Sequence, residues 1–272
     1  MASLNEISPA QLMRLIGTPA APTIVDVCID PDFAEDPRLI PTGFRAPHTD
    51  FPALVERLNG RRVVVACQKG KKLSQGVAAY LRSEGIAAEY LRGGLYGWRD
   101  AGLPLIPSAA LPAPVNGATL WVTKHRPKID RIACPWLIRR FVDPGARFLY
   151  VASGVVMDVA EKFGATPFDI EGVFWSHRGN NCTFDTLLAE LELETEALMR
   201  LATVVRAADT NRHDIAPEAA GLLAISVGLS RVYKDDLAQL EAGIEIYDAL
   251  YRWARDGIEE THDWPTNQGA AK

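Results

Sequence analysis

The chain has 272 residues, of which 48% are hydrophobic and 23% charged, and its formal net charge is −5. This composition is ordinary for a globular protein, and the length suits two domains. A negative net charge argues against a nucleic-acid partner held by overall charge, so we expect no nucleic-acid binding. The sequence contains no apolar run of about 18 residues, so it predicts no membrane span and no membrane partner.

Cysteine usage indicates a reducing compartment. The four cysteines are far apart in the sequence and form no CxxC pair, a pattern that disfavours a disulfide framework. The first residues lack the basic and apolar segments of a signal peptide. We therefore expect a cytoplasmic protein, and we leave open whether it forms a homo-oligomer.

The first 107 residues alternate between strand and helix patterns. Ser8 and Pro9 are typical of a helix start. Strands are predicted at 23–27, 61–66 and 87–91, and further helices at 51–58, 74–84 and 94–101. Because apolar strands alternate with helices, we expect an α/β domain with a mainly parallel sheet and helices on both faces.

One loop in this region carries most of the chemical information. A β-branched run, 63–65, leads to Cys67, and Ser74 opens the next helix pattern. Backbone N–H groups of such a loop, together with the helix N-terminus, can hold an anion. The same positive field favours a thiolate at Cys67, ionised and open to solvent. A buried, inert cysteine is the alternative, but the three nearby lysines favour the reactive form.

The order of elements and several motifs in residues 4–106 resemble the rhodanese (sulfurtransferase) family. The motifs are Asp26-Val27, the cysteine loop, Leu-Arg-Gly-Gly-Leu-Tyr-Gly-Trp at 91–98 and Ala-Gly-Leu-Pro at 101–104. The resemblance implies that Cys67 is the catalytic cysteine. It places the substrate-binding loop on Gln68, Lys69, Gly70, Lys71 and Lys72.

The resemblance also implies a reaction. Related phosphatases of similar fold have an arginine where this chain has Leu73, and the shorter loop suits a sulfur atom. A small anionic donor such as thiosulfate would leave a persulfide on Cys67. A thiol or a cyanide-like acceptor would then take the sulfur, and sulfur transfer requires no cofactor.

Three departures from the rhodanese pattern leave the donor open. Cys28 and Lys72 stand where the family often has arginine, and the usual glycine-histidine pair is missing around 40–43. Lysine is a point charge without the bidentate geometry of arginine. Cys28 ends a predicted parallel strand, as Cys67 does, so it is either a resolving thiol or, as we favour, a core cysteine.

The remainder of the chain has a different character. A Pro-rich linker is expected at 108–118, and a second domain at 119–260. Strand patterns at 120–122 and 147–151 are accompanied by a helix pattern at 129–141 and followed by further helix patterns, so this domain should be an α-rich α+β fold. The tail, 261–272, is predicted to be disordered.

The second domain begins with a basic turn before a helix. Arg126, Lys128 and Arg131 lie near the predicted helix N-terminus, where they would favour an anion. A solvated basic face, paired with Asp130 and Asp143, explains the same pattern equally well.

Two histidine-containing loops suggest a metal. His177 and His213, with a carboxylate from Asp209 or Glu218, could bind Zn²⁺ or Fe²⁺. The spacing of these residues does not match a known metal-binding motif. Capping of the following helices also explains the polar residues in these loops, so we favour the interpretation without a metal.

Three stretches resemble the C-terminal domain of the chromate-resistance protein ChrB family over residues 119–256. They are Arg-Pro-Lys-Ile-Asp-Arg-Ile-Ala-Cys at 126–134, Ser-His-Arg-Gly at 176–179 and Arg-His-Asp-Ile-Ala-Pro-Glu-Ala-Ala-Gly-Leu at 212–222. The resemblance implies a link to chromate resistance, with no defined molecular activity. Regulators of that family carry a different N-terminal region, so we do not expect a transcription role.

Three functions follow from these observations. The first is sulfur transfer through Cys67, with the second domain supplying an acceptor site or a sensor. The second is a non-enzymatic oxyanion or redox sensor in which Cys67 is modified. The third is a metal-binding module at His177 and His213, with the first domain as a docking surface.

Overall fold

The structure, a computed structural model, describes residues 5–260. The predicted disordered tail, 261–272, lies outside the described residues. The strands are β1 (Glu6–Ile7), β2 (Thr23–Asp26), β3 (Arg38–Leu39), β4 (Phe44–Arg45), β5 (Val63–Ala66), β6 (Ala88–Leu91), β7 (Ile106–Pro107), β8 (Leu120–Lys124), β9 (Arg147–Val151) and β10 (Thr166–Pro167). The helices are α1 (Pro9–Leu15), α2 (Asp30–Glu35), α3 (Phe51–Leu58), α4 (Lys72–Ser83), α5 (Gly94–Asp100), α6 (Asp130–Leu137), α7 (Val156–Phe163), α8 (Thr183–Glu190), α9 (Glu196–Asp209), α10 (Glu218–Val232) and α11 (Asp236–Arg252).

The first half is built on a parallel sheet with the strand order β1-β6-β5-β2-β4. Strand β5 is the middle strand, and its four residues are fully buried. β-Branched side chains such as those of 63–65 pack well in a strand that is covered on both faces. The predicted parallel α/β fold is confirmed.

The pairing of β2 with β5 fixes what lies at the carboxyl edge of this sheet. Asp26 is in register with Ala66, and the N–H of Val27 donates to the carbonyl of Ala66. The residues that follow both strands, including Cys28 and Cys67, therefore share one edge.

The second half is α-rich, as predicted. Its small sheet has the order β10-β8-β9, with both pairs parallel. Helices α6, α8, α9 and α11 pack on one another, and α10 packs on α9. Helix α6 contains Pro135 and continues into a π-helical turn at Ile138–Val142, so the predicted single helix 129–141 is divided.

The two halves share one continuous apolar core. The N–H of Thr42 donates to the carbonyl of Phe141 at 2.8 Å. Gly17 lies so close to Phe141 and Tyr251 that an added Cβ would be 2.4 Å and 2.7 Å from their rings. The predicted linker is bound to the first half at its start, because the N–H of Ser108 donates to the carbonyl of Pro37.

Candidate functional site

Cys67 lies directly after β5, beneath the lysine-bearing loop. Its Sγ is 3.2 Å from the Oγ of Ser74, in the first turn of α4. The residue is only 5% exposed and lies among the buried core residues, so the prediction of a thiol open to solvent is wrong. The thiol sits at the base of the loop, where a polar hydroxyl is its hydrogen-bond partner.

The N-terminus of α5 fixes the shape of this loop. The N–H groups of Leu95 and Tyr96 donate to the carbonyls of Cys67 and Gln68, both at 3.0 Å. Because N–H and C=O point in opposite directions in a trans peptide, the N–H groups of the same peptide units face away from α5. This orientation leaves loop amides available to an anion on the other side.

Glycines at two positions make the close approach between loop and helix. Gly94 has a φ of +60°, and a Cβ there would lie 2.0 Å from the carbonyl oxygen of Cys67. Gly70 has a φ of +64°, and a Cβ there would lie 2.5 Å from the carbonyl oxygen of Leu91. Only glycine fits such a combination of backbone conformation and contact.

The predicted loop residues divide into an inner and an outer group. Gln68 is buried and donates to Glu35 at 2.8 Å, which also accepts from the Tyr96 hydroxyl at 2.9 Å. The three loop lysines, in contrast, are exposed. They surround the loop with positive charge on its solvent side. Glu35 gave no sequence signal, since it lies 32 residues before Cys67.

Cys28 has a different environment. It is 5% exposed, and burial together with the neighbouring Asp26 raises the pKa of its thiol far above the usual value. A neutral thiol is a poor nucleophile. This supports the favoured interpretation of Cys28 as a core cysteine. A cavity of about 420 Å³ lies beside it, lined also by Arg45 and His48.

A second cluster of chemical groups lies in the other half of the chain, around His177. Its Nε2 is 3.2 Å from a carboxylate oxygen of Asp209 and 3.5 Å from oxygens of both Asp130 and Asp169. These carboxylates raise the pKa of His177 well above its usual value. The side chains come from the start of α6, the segment after β10, the loop before α8 and the end of α9.

Asp130 is the deepest member of this cluster. It is 0% exposed, and burial raises the pKa of its carboxyl group to about 7. One oxygen accepts from the N–H of Thr183 at 2.6 Å, whereas the other has no hydrogen-bond partner. The preceding Ile129 has a φ of +35°, which is unfavourable for a β-branched residue.

The sequence identified only part of this cluster. His177 and Asp209 come together as predicted, but His213 and Glu218 are exposed and stand outside the group of candidate ligands found among residues 5–260. The structure does not bring those two into this group: His213 lies in the turn after α9, and Glu218 begins α10. Asp130 and Asp169 were missed.

The three residues predicted to form an anion site lie in different environments. Arg126 donates to the carbonyl of Ser230, and Lys128 is exposed. Arg131 lies 3.2 Å from an Asp169 oxygen and lines a cleft of about 650 Å³ together with Lys124 and His177. This cleft therefore combines Lys124 and Arg131 with the carboxylates of Asp169, Glu171 and Asp209.

Comparison with known proteins assigns the second half. Residues 121–254 match the family model described as "ChrB, C-terminal domain". Residues 121–254 are therefore similar to this family, and we call them the ChrB domain after the match. The chain is also 32% identical, over 169 residues, to Protein ChrB of Cupriavidus metallidurans, in a match that covers 57% of this chain and 50% of that protein. The chain thus spans half the length of the ChrB protein that it matches.

Solved structures with likeness to the chain include rhodanese-like proteins. A rhodanese-like domain protein from Staphylococcus aureus is 26% identical, with a TM-score of 0.32, and the match covers 35% of this chain and 91% of that one. Thiosulfate sulfurtransferase from Pseudomonas aeruginosa is 24% identical, also with a TM-score of 0.32, covering 37% of this chain and 19% of that one.

The molecule therefore joins a parallel α/β sheet to a half that matches the ChrB C-terminal domain model. The cysteine loop belongs to the first part, and the cluster around His177 to the ChrB domain. Within residues 5–260, none of the helices combines the length and the apolar character that a bilayer crossing requires.

Proposed function

We propose that the protein is a sulfurtransferase that carries sulfur as a persulfide on Cys67. The observation that carries this proposal is the position of the thiol. It lies at the carboxyl end of the middle strand, under a loop with three exposed lysines, with its Sγ 3.2 Å from the Ser74 hydroxyl.

The reaction would proceed in two displacements. The Cys67 thiolate attacks the outer sulfur of thiosulfate, the sulfur–sulfur bond of the donor breaks, and sulfite leaves with the bonding electrons. Cyanide or a thiolate then attacks the outer sulfur of the persulfide and releases the Cys67 thiolate. Loop amides and Ser74 would stabilise negative charge on the sulfur, and Lys71 and Lys72 would attract the anionic donor.

Low exposure of the sulfur is compatible with this chemistry. A persulfide at the base of a loop is shielded from competing nucleophiles and from bulk water. The donor must then enter between the loop and its surroundings, which favours a small anion over a bulky one.

The likeness to ChrB proteins suggests the setting in which the activity is used. We propose an association with chromate or oxyanion stress, in a cytoplasmic protein whose four cysteines are free thiols. Chromate and sulfate are both tetrahedral dianions, so a protein that handles sulfur oxyanions is chemically suited to this setting.

The test is turnover of thiosulfate and cyanide by the full chain, compared with Cys67→Ser. We expect thiocyanate formation by the wild-type protein and none by the variant, with Cys28→Ser close to wild type. Mass spectrometry after thiosulfate should show a gain of one sulfur atom on the Cys67 peptide. Chromate- or peroxide-dependent modification of Cys67 with negligible turnover would favour the sensor instead.

A further inference from the structure

We propose that Asp130, His177 and Asp209 form a binding site for a divalent transition-metal ion in the ChrB domain. This proposal is separate from sulfur transfer, because Cys67 belongs to the other half of the molecule. One donor atom from each of the three residues lies within 4.8 Å of the donor atoms of the other two.

The separations between these atoms suit a shared ion. Two ligand atoms that are each about 2.1 Å from a metal lie about 3.0 Å apart at a right angle and about 3.4 Å apart at the tetrahedral angle. The Nε2 of His177 is 3.2 Å from Asp209 and 3.5 Å from Asp130. A single imidazole N–H can point at only one acceptor, so one hydrogen bond does not account for both contacts.

The second observation is the unpaired oxygen of Asp130. This side chain is fully buried. Its Oδ2 lies 3.5 Å from the His177 Nε2 and accepts from the Thr183 N–H, whereas its Oδ1 has no hydrogen-bond partner. Leaving a buried charged group unpartnered is costly, and buried charges are normally paired or bound to a metal. A cation bound by this carboxylate would neutralise its buried charge.

Asp169 is placed to support such a site. One of its oxygens accepts from the Thr183 hydroxyl at 2.8 Å, and the other lies 3.2 Å from the Arg131 Nε. Its first oxygen is also 3.5 Å from the His177 ring nitrogen. Partners of this kind orient ligands and tune their basicity.

The three ligand groups restrict which metal ions this site can bind. One imidazole nitrogen and two carboxylates suit Zn²⁺, Fe²⁺ or Mn²⁺, and the absence of a thiolate disfavours softer ions. Three protein ligands leave at least one coordination position free. That position would face the cleft, where Lys124 and Arg131 could hold an anion next to the metal.

The experiment measures metal binding to the full chain after chelator treatment. Zn²⁺ and Mn²⁺ are titrated separately by calorimetry, and Mn²⁺ also by electron paramagnetic resonance. Three chains test the ligands, namely the wild type, His177→Ala and Asp209→Asn. Asp209 is partly exposed, and its carboxylate pairs with His177, so Asp209→Asn should fold even if another variant does not.

Matched controls are available in the same domain. His213→Ala removes an exposed histidine outside the cluster, and Asp158→Asn removes an exposed aspartate on α7. Cys67→Ser separates this proposal from sulfur transfer, because it should bind metal like the wild type even though it cannot form a persulfide.

We expect one ion of Zn²⁺ or Mn²⁺ per wild-type chain, with unchanged affinity in the three controls. His177→Ala and Asp209→Asn should each bind at least about tenfold more weakly. The proposal is overturned if the wild type binds neither ion, or if a folded His177→Ala or Asp209→Asn chain binds as tightly as the wild type.

Discussion

The environment of each thiol distinguishes Cys67 from the other cysteines. Burial raises the pKa values of Cys28, Cys134 and Cys182, which keeps those thiols neutral. Cys67 is as buried as Cys28, since each is 5% exposed, but the sulfur of Cys67 contacts the hydroxyl of Ser74. In the structure the thiol donates to the Ser74 oxygen, and the Ser74 hydroxyl donates to the carbonyl of Lys71 at 3.3 Å. In the thiolate or persulfide form, this hydroxyl can donate to sulfur instead and stabilise its negative charge.

Ser74→Ala tests this hydroxyl. A hydrogen bond to a charged group contributes about 1.5–3 kcal/mol. The variant should therefore transfer sulfur at least about tenfold more slowly in the thiosulfate and cyanide assay. Ser83→Ala, an exposed serine in the same helix, is the control and should match the wild type. Equal rates in all three chains would remove Ser74 from the mechanism.

Asp26 predicts a pH effect on stability. It is 2% exposed, and burial raises the pKa of its carboxyl group above the unfolded value of 3.8. The folded state then binds more protons than the unfolded state just above that pH, so this group lowers the free energy of unfolding as pH rises. Its favourable contribution is fully present below 3.8 and is lost as pH passes the folded pKa.

Asp26→Asn should cancel this dependence. Its free energy of unfolding, relative to the wild type, should increase between acidic and neutral pH and then stay constant. Urea unfolding at a series of pH values measures the difference, with Asp158→Asn as an exposed control. A difference that does not change with pH would show that Asp26 titrates normally.

At the scale of elements, the cysteine loop depends on the turn into α5. Gly94→Ala would place a Cβ 2.0 Å from the Cys67 carbonyl oxygen and 2.4 Å from the Gly70 nitrogen, at a φ of +60°. Both contacts are with backbone, so the loop itself must shift. We expect a loss of stability greater than the roughly 1–2 kcal/mol that a left-handed conformation costs alone, together with loss of sulfur transfer.

Gly102→Ala is the matched control for that variant. Gly102 has a φ of +66°, but nothing lies within 4 Å of the position that a Cβ would take. It should therefore cost only about 1–2 kcal/mol and leave sulfur transfer intact. Thermal unfolding and thiocyanate formation measure both effects. Similar losses in the two variants would mean that the contact with the loop is unimportant.

Local signals explain which elements could be predicted from the sequence. The strand 147–151 and the helix start at Ser8 were predicted correctly, because an aromatic and apolar run and an N-cap followed by proline are signals carried by neighbouring residues. Helix α4 begins at Lys72, two residues before the predicted Ser74, because a basic loop carries no N-cap side chain. The π-helical turn after α6 has no local sequence signal.

The cluster around His177 shows where prediction from sequence ends. Asp130 lies 47 residues before His177, and Asp169 and Asp209 lie on different elements. Their meeting depends on the packing of α6, α8 and α9, which no spacing rule specifies. Asp130 also resembles an ordinary acidic residue at a helix start, so its burial could not be foreseen.

At the scale of the whole molecule, the two halves are joined by burial as well as by the linker. Phe141 is fully buried, contacts Trp136 and Tyr251, and lies against Gly17 of the first half. Because one core crosses the boundary, we expect the halves to unfold together.

Phe141→Ala tests this coupling. Removing a buried phenylalanine ring costs about 3–5 kcal/mol. Unfolding is followed by far-UV circular dichroism and, separately, by the loss of sulfur transfer through Cys67. Both measurements should show the same single transition, shifted to lower temperature. Phe163→Ala, whose side chain is 55% exposed, should change stability by no more than about 0.5 kcal/mol. If Phe141→Ala instead separates two transitions, with sulfur transfer persisting after the ChrB domain has unfolded, then the halves are independent units and their shared core contributes little to stability.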